Sequence, residues 1–273
     1  MRTLNIVNKL KSVSRNPSLL LFYICGKFKY FPTGLIANRF MVDLPIYCIN
    51  LNNSTTRRSF MKKQVDKAGF NNFQFSEGID GASLDLYQSI EDGSYNDELA
   101  KKYHQRSLHS NEIALSLSHG LIYKKIVRKS QQIALILEDD ALFVTKRINN
   151  INTTIFPPDW DLIFLSSFLS STPPKGHIIR NLYTTESWEG SSAAYLISLK
   201  GASKLEKVYK PVIHAADGFI GRNMNYRQKH HFKQQGARAK INTYLIFPDS
   251  ILNGSSVGFW RPTIPFMDHL MKK

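Results

Sequence analysis

Three consecutive acidic residues, Glu138, Asp139 and Asp140, form the group whose types and spacing point most directly to chemistry. They follow residues 133–137, an uninterrupted apolar run that predicts a buried strand, so the acids stand at its carboxyl end. Adjacent carboxylates raise each other's pKa, and a bound divalent cation removes that penalty. Because Mg²⁺ and Mn²⁺ prefer carboxylate oxygens and keep positions open for water and phosphate, we predict a cation site here. The alternative is an acidic loop start that caps the next element or pairs with a lysine.

Strand geometry divides these acids between two sides. Side chains alternate along a strand, so Glu138 and Asp140 point to one side and Asp139 to the other. We expect Asp140 and Glu138 to act together, one carboxylate holding the metal directly and the other a water or a ribose hydroxyl. Asp139 is assigned a supporting role in binding the cation and the donor.

The rest of the chain alternates strand and helix patterns. Apolar runs predict strands at residues 45–51, 73–75, 133–137, 161–165, 193–197 and 243–247. Helical spacing predicts a helix over 56–68 with a Thr cap and Gly69 as its stop, one beginning at Ser110 or Asn111, and one over 198–209. Residues 85–108 lack periodicity and predict a loop. This alternation predicts an α/β fold, a mostly parallel sheet flanked by helices with ligands at the carboxyl ends of its strands.

The charge balance indicates an anionic partner. The net charge is +15 and the pI about 9.7, which suits nucleic acid, lipid headgroups or a phosphorylated substrate. Residues 1–42 contain seven Lys or Arg and no acid, and their longest apolar run is far shorter than the roughly 20 residues of a spanning helix. We expect this segment to lie on an anionic membrane surface, or alternatively to pack as a helix on the domain of residues 43–273. The two cysteines favour a reducing compartment over a disulfide scaffold.

Four segments carry a resemblance to a known family. They are Ile-Tyr-Cys-Ile-Asn-Leu at 46–51 followed by Arg57 and Arg58; Ile-Asp-Gly at 79–81; the block from Glu112 through Leu-Ser-His at 117–119 to the acids at 138–140; and Gly-Ser-Ser-Ala-Ala-Tyr-Leu-Ile-Ser at 190–198 with Lys-Gly-Ala at 200–202 and Asp217. In this order and spacing the chain resembles glycosyltransferase family 25, the lipopolysaccharide and lipooligosaccharide β-galactosyltransferase group. Asn-Glu-Ile-Ala-Leu at 111–115 departs from that family's Gly-Glu-Ile-Gly-Cys, and Gly-Ser at 190–191 from its Gly-Thr, which leaves the donor and acceptor open.

The resemblance implies a GT-A-type fold, a Rossmann-like sheet with a metal motif at a strand end. It also implies Mn²⁺ or Mg²⁺ as cofactor, a UDP-sugar donor that is usually UDP-galactose, and inversion at the anomeric carbon. The implied acceptor is a growing lipid-linked oligosaccharide of lipopolysaccharide or lipooligosaccharide. We therefore expect a cytoplasmic protein, peripheral on the inner face of a bacterial inner membrane, with no nucleic acid as partner.

Glycosyl transfer also needs a base that deprotonates the acceptor hydroxyl. Asp217 is the first candidate, in a loop after the 198–209 helix and one of only two acids in the basic stretch 200–240. The alternative for Asp217 is a plain ion pair with a nearby Lys or Arg. Glu186 and Glu189, just before residues 191–198, are the fallback candidates.

Several further positions are assigned to the nucleotide sugar. Arg57 and Arg58, at the start of the first helix, suit phosphate because guanidinium groups bind it bidentately, and we assign that role to one of them. The alternative is a pair of solvated charges. Asn50 and Leu51 could contact the base or ribose through amide and backbone groups.

Two motif residues have competing structural interpretations. Asp80 either hydrogen-bonds the uridine or merely starts the turn at Gly81. His119 lies inside an amphipathic helix, where a structural histidine is the commoner outcome, and it is also a candidate donor-binding residue.

Two rival functions come from other classes. A basic α/β protein could bind nucleic acid through phosphate contacts, but no nucleic-acid motif occurs and three strand-end acids would repel a phosphate backbone. A hydrolase could use the same acids and metal with water as the acceptor.

Overall fold

The computed structural model of the protein describes residues 41, 43–148, 151–167, 173–185, 191–221 and 241–261. The expectations for the basic segment 1–42, except for Met41, and for Glu186 and Glu189 lie outside the described residues. So does the part of the basic stretch 200–240 from residue 222 onward.

An eight-stranded sheet forms the centre of the molecule. Its strands are β1 (Ile46–Asn50), β2 (Phe73–Glu77), β3 (Ile133–Glu138), β5 (Leu162–Phe164), β6 (His177–Ile179), β7 (Leu182–Thr184), β8 (Ala194–Ser198) and β9 (Thr243–Ile246), in the order β2-β1-β3-β8-β5-β9-β7-β6. The antiparallel pairings reverse only β8 and β7, so the other six strands share one direction. A separate antiparallel pair joins β4 (Ala141–Phe143) to β10 (Ile251–Asn253). The predicted α/β class with a mostly parallel sheet is confirmed.

Helices cover both faces of this sheet. They are α1 (Thr55–Ala68), α2 (Leu86–Glu91), α3 (Asp97–His104), α4 (Ser110–Arg128), α5 (Thr145–Ile148), α6 (Leu199–Glu206) and α7 (Ala216–Gly221), with one 3₁₀ turn (Thr153–Ile155). The predicted stop of α1 is observed, since Gly69 adopts the left-handed conformation with φ of 73°. Among the described residues, no helix is both long and apolar enough to cross a membrane.

Three local expectations were wrong. The cap position of α1 is Ser54 rather than a Thr, and its side chain makes no capping hydrogen bond. Helix α4 is capped by His109 rather than by Ser110 or Asn111. The Glu112 carboxylate accepts a hydrogen bond from the His109 N–H, which completes a capping box.

The segment 85–108 is not a loop, the third wrong expectation. It contains α2 and α3, whose caps are the side chains of Asp85 and Asn96. Both helices are short, so their turns give little periodic signal in the sequence.

Alternate residues of the central strands enter cores on opposite faces of the sheet. Cys48 and Leu137 pack with Met61 of α1 on one face, whereas Tyr47 and Ile136 pack against the α4 side on the other. Burial on both faces explains the nearly continuous apolar runs of β1 and β3. This arrangement brings the carboxyl ends of β1, β2 and β3 together at one edge of the sheet.

Candidate active site

A cleft of about 440 Å³ opens at the edge where β1, β2 and β3 end. Its walls also include the first half of α4, the residues just before β8, the start of α7 and the end of β10. The cleft brings together most of the sites predicted from sequence, namely Asn50, Leu51, Arg57, Asp80, Glu138, Asp139, Asp140 and Asp217.

Asp139 is fully engaged by partners within the chain. Its Oδ1 accepts a hydrogen bond of 2.9 Å from Arg57 Nη1, and its Oδ2 accepts one of 2.9 Å from Asn50 Nδ2. Arg57 also donates through Nη2 to the Arg261 carbonyl at 2.8 Å, and its guanidinium lies 5.6 Å from the centre of the Trp260 ring. Asp139 therefore positions Arg57 and Asn50 at the wall of the cleft.

Glu138 and Asp140 differ from Asp139 because each keeps a buried oxygen without a partner. Asp140 Oδ2 accepts from the Ser255 hydroxyl at 2.5 Å, while Asp140 Oδ1 and Glu138 Oε1 accept no hydrogen bond from the described residues. Burial, followed by the charge of Glu138, raises the pKa of Asp140 to about 6. Burial and then the charges of all three acids raise the pKa of the Cys48 thiol beneath them.

These two carboxylates fit a divalent cation that shares its ligands with a substrate. Within the described ranges, no three His, Cys, Asp or Glu side chains converge on a ready-made metal site. Two carboxylates with unpartnered oxygens suit Mg²⁺ or Mn²⁺, which take their remaining ligands from water and phosphate. The assignment of the metal to Asp140 and Glu138 stays a prediction.

Arg58 and His119 lie beside the cleft rather than in its lining. Arg58 donates to Asn50 Oδ1 at 3.1 Å, and its guanidinium packs 4.2 Å from the centre of the Phe75 ring. His119 is 2% exposed and stacks on the ring of Tyr195. Arg58 therefore contacts Asn50 of the cleft wall, and His119 lies 3.4 Å from Glu138 of the same wall.

The turn after β2 forms another wall and is fixed by α4. The predicted turn at Gly81 is observed, because Asp80 Oδ1 accepts from the Ala82 N–H at 2.9 Å. The Ile79 N–H donates to Ser118 Oγ at 2.9 Å. A Cβ at Gly81 would lie 2.1 Å from the side-chain oxygen of Asn111, so only glycine allows this close approach.

Glu112 is a further carboxylate that lines the cleft, and both of its oxygens accept hydrogen bonds. It accepts two hydrogen bonds of 2.7 Å from the guanidinium of Arg106 and one of 2.7 Å from the His109 N–H. Burial alone would raise its pKa, but these donors outweigh burial and hold the pKa below the ordinary value.

Asp217 lies in the first turn of α7, not in a loop as the sequence suggested. Its Oδ1 accepts from the Gly218 N–H at 2.6 Å, and the residue lines the cleft. Its role as the base stays a prediction, and so do those of Glu186 and Glu189.

Sequence reasoning missed Asn253, Ser255, Ser191 and Ser192, all of which line the cleft. Ser255 is 115 residues from Asp140 along the chain, and the pairing of β10 with β4 brings them together. Nothing in the pattern around a lone serine indicates such a partner.

The family model described as "Glycosyltransferase family 25 (LPS biosynthesis protein)" matches residues 43–220. Relatives include a "Glycosyltransferase 25 family member" of Anopheles gambiae, 28% identical over 68% of this chain and 34% of that protein, and "Procollagen galactosyltransferase 1-B" of Xenopus laevis, 30% identical over 59% and 27%. The matched region thus spans only about a third of these relatives, or less.

Among solved structures, one similar chain is "a glycosyltransferase involved in the glycosylation of the major capsid of PBCV-1", with a TM-score of 0.34, 10% identity and coverage of 80% of this chain and 98% of that one. The family-model match covers more than half of the chain and includes the three strand-end acids. The chain belongs to glycosyltransferase family 25.

Proposed function

We propose that the protein transfers a hexose, galactose, from a UDP-sugar to a hydroxyl of a lipopolysaccharide or lipooligosaccharide chain, with inversion at the anomeric carbon. Family membership supports glycosyl transfer, and the family's description supports the acceptor. The name of the Xenopus laevis relative supports galactose as the sugar. The net charge of +15 supports a site of action in the cytoplasm at the anionic inner face of a bacterial inner membrane.

The observation that carries this proposal is the unequal pairing of the three adjacent acids. Asp139 is bonded to Arg57 and Asn50. Among the described residues, Asp140 Oδ1 and Glu138 Oε1 accept no hydrogen bond, although His119 Nε2 lies 3.4 Å from Glu138 Oε1. A divalent cation that arrives with the diphosphate of the donor would supply positive charge to these two carboxylates. This is the charge pattern expected of a nucleotide-sugar site.

In the proposed reaction, Asp140 and Glu138 would hold the cation, which would supply positive charge for the departing nucleotide diphosphate. Arg57, fixed by Asp139, adds positive charge for the phosphates at the cleft wall. Asn50 and Leu51 contact the ribose or base.

On the acceptor side, Asp217 accepts the proton of the attacking hydroxyl. The turn at residues 78–82 lines another wall of the cleft, and we assign Asp80 of this turn to the uridine of the donor. We assign these roles to Asp217 and to the turn because both line the same cleft.

Calorimetric titration of UDP and UDP-galactose with and without Mn²⁺ tests the proposal. We expect wild type to bind in a Mn²⁺-dependent manner and Asp140→Asn to lose that dependence, because the substitution keeps the shape and removes the charge. Asp66→Asn is the matched control, since Asp66 is an exposed acid paired with Lys62 on α1. Absence of nucleotide binding in wild type under every condition would contradict the proposal.

Turnover distinguishes transfer from hydrolysis of the nucleotide sugar. We expect galactose release from the donor to be slow until an oligosaccharide acceptor is added. Full-rate donor hydrolysis without an acceptor would instead assign the site to a hydrolase.

A further inference from the structure

A buried chain of three side chains leads from the core to Glu138. Tyr123 Oη lies 2.9 Å from Tyr195 Oη, and Tyr195 Oη lies 2.8 Å from His119 Nδ1. His119 Nε2 in turn lies 3.4 Å from Glu138 Oε1. Tyr123, Tyr195 and His119 are each at most 2% exposed, so this chain is shielded from solvent.

The last contact of the chain is incomplete. The His119 Nε2 to Glu138 Oε1 distance lies within ion-pair range, but neither atom makes a hydrogen bond within the described part of the protein. A well-formed N–H···O bond is about 2.9 Å long, so a small shift of the carboxylate would complete this one. Hydrogen bonds of active sites often tighten only when the ligand binds.

If Glu138 binds a cation as proposed, its carboxylate can only accept hydrogen bonds, and this sets the direction of donation along the row of side chains. An ionised carboxylate only accepts hydrogen bonds, and a neutral imidazole carries one proton on one of its two nitrogens. If His119 carried its proton only on Nδ1, the lone pair of Nε2 would face a carboxylate oxygen in a buried site. With the proton on Nε2, Tyr195 donates to Nδ1 and Tyr123 donates to Tyr195. The Nε2–H then faces Glu138 Oε1, and a small shift of the carboxylate would complete that hydrogen bond.

We infer that His119 is a positioning residue whose Nε2–H orients the Glu138 carboxylate for ligand binding, with Tyr195 fixing the ring. Oε1 of Glu138 is buried toward His119, so the 17% exposure of the Glu138 side chain comes from its other atoms. The carboxylate is thereby held with one oxygen toward the core. The inference that this matters for a cation and a nucleotide rests on the proposed function.

Two substitutions of His119 separate orientation from packing. The side-chain nitrogen of Gln reaches the place of Nε2, whereas that of Asn reaches only the place of Nδ1. We expect His119→Asn to weaken Mn²⁺-dependent UDP binding by roughly 10- to 100-fold, the usual effect of removing a group that orients a metal ligand. His119→Gln should recover most of that affinity, as measured by calorimetry.

Tyrosine variants test the rest of the chain if a His119 variant folds poorly. Tyr195→Phe removes the hydroxyl that donates to Nδ1 and should weaken the same binding. Tyr123→Phe leaves that hydroxyl in place and should have the smaller effect. Thermal unfolding of each variant without ligand measures the contribution of packing.

NMR of ¹⁵N-histidine-labelled free protein tests, without any nucleotide, which ring nitrogen of His119 carries the proton. The signals that disappear in His119→Gln identify the His119 ring, and we expect a proton on its Nε2. A proton on Nδ1 alone would overturn the inference, as would equal losses of UDP affinity in His119→Asn and His119→Gln. Absence of UDP binding in wild type would instead overturn the proposed function, while the NMR result would still decide the direction of the chain.

Discussion

Two buried aspartates at opposite edges of the sheet differ in the charged and hydrogen-bonding side chains that surround them. Asp161 precedes β5 and is fully buried, and its Oδ2 accepts from Lys204 Nζ at 2.6 Å and from the Asn242 N–H at 2.8 Å. Its Oδ1 accepts no hydrogen bond from the described residues but lies 3.6 Å from the Lys200 ammonium. Asp140 follows β3 at the other edge, where Ser255 is its side-chain donor and Oδ1 is left unpaired among the described residues.

The difference does not come from a shortage of cationic side chains. The chain has 36 Lys and Arg against 21 Asp and Glu, and it places two lysines around Asp161. We interpret Asp161 as an acid that supports the fold and Asp140 as one whose countercharge arrives with a ligand. A buried carboxylate without a countercharge is costly, so such an arrangement marks a binding site.

The same substitution at the two edges should change stability in opposite directions. Asp161→Asn should lower the free energy of unfolding by about 3 kcal/mol, the lower end of the range for a broken buried ion pair, since both lysines keep access to water. Asp140→Asn should leave it unchanged or raise it at pH 7, because burial and Glu138 already disfavour the ionised form. Urea unfolding measures both, with exposed Asp66→Asn as the control. Equal losses of unfolding free energy in Asp161→Asn and Asp140→Asn would contradict the interpretation that only Asp161 supports the fold.

Glycine substitutions should separate the two edges by function. A Cβ at Gly201 would lie 2.4 Å from the Asp161 carbonyl oxygen, and a Cβ at Gly254 would lie 2.4 Å from that of Asp140. Each Gly→Ala change should cost about 2 kcal/mol of stability through steric displacement. Only Gly254→Ala should also lower UDP affinity in calorimetry. Lowered affinity in Gly201→Ala would contradict this.

Glu112 offers an internal test, because it lines the same cleft as Asp140 but is paired as Asp161 is. Arg106→Met should lower the free energy of unfolding by about 1.5 kcal/mol at pH 7, the loss of a charged hydrogen-bonded pair.

The pH dependence of that loss has a defined sign. The folded pKa of Glu112 lies below its ordinary value of 4.5, so its contribution is full above pH 4.5 and is lost as the pH falls through the folded pKa. Wild type and Arg106→Met should therefore converge in stability in acid, as followed by urea unfolding at several pH values. A difference that stays constant into acid would show that Arg106 contributes by packing instead.

Ser255→Ala is expected to give the smallest effect. It removes the hydroxyl donor to Asp140 and leaves the Ser255 N–H at 3.3 Å, so the loss of stability should be about 1 kcal/mol. Mn²⁺-dependent UDP affinity should fall by about tenfold because Asp140, the proposed cation ligand, loses its support. Ser256→Ala is the neighbouring control, and an equal loss of affinity there would argue against a specific role for Ser255.

The sequence predicted the elements whose residues carry their own signal. Residues 133–137 are apolar without interruption because β3 is buried on both faces, and the acids after them therefore had to stand at a strand end. The strands β4, β6, β7 and β10 have three residues each and were not predicted. The equally short β5 was predicted because it lies within the apolar run that ends at Leu165.

The cleft could be only partly predicted, because its walls depend on contacts between distant residues. Arg57 and Asp139 are 82 residues apart, and each could be assigned to the site without any sign that they bond to each other. His119 was assigned from its motif, but its position beneath Glu138 depends on the packing of α4 against β8. Ser255 carried no local signal at all.

The distance in sequence between Asp140 and Ser255 has a consequence for synthesis of the protein on the ribosome. β3, its acids and β4 emerge long before β10, which pairs with β4 and carries Ser255 to Asp140. A nascent chain that ends before β10 contains the three acids but lacks a wall of the cleft and the hydroxyl that supports one of them. Translation thus completes the binding site only once β10 has emerged, after the central strands are already available to fold.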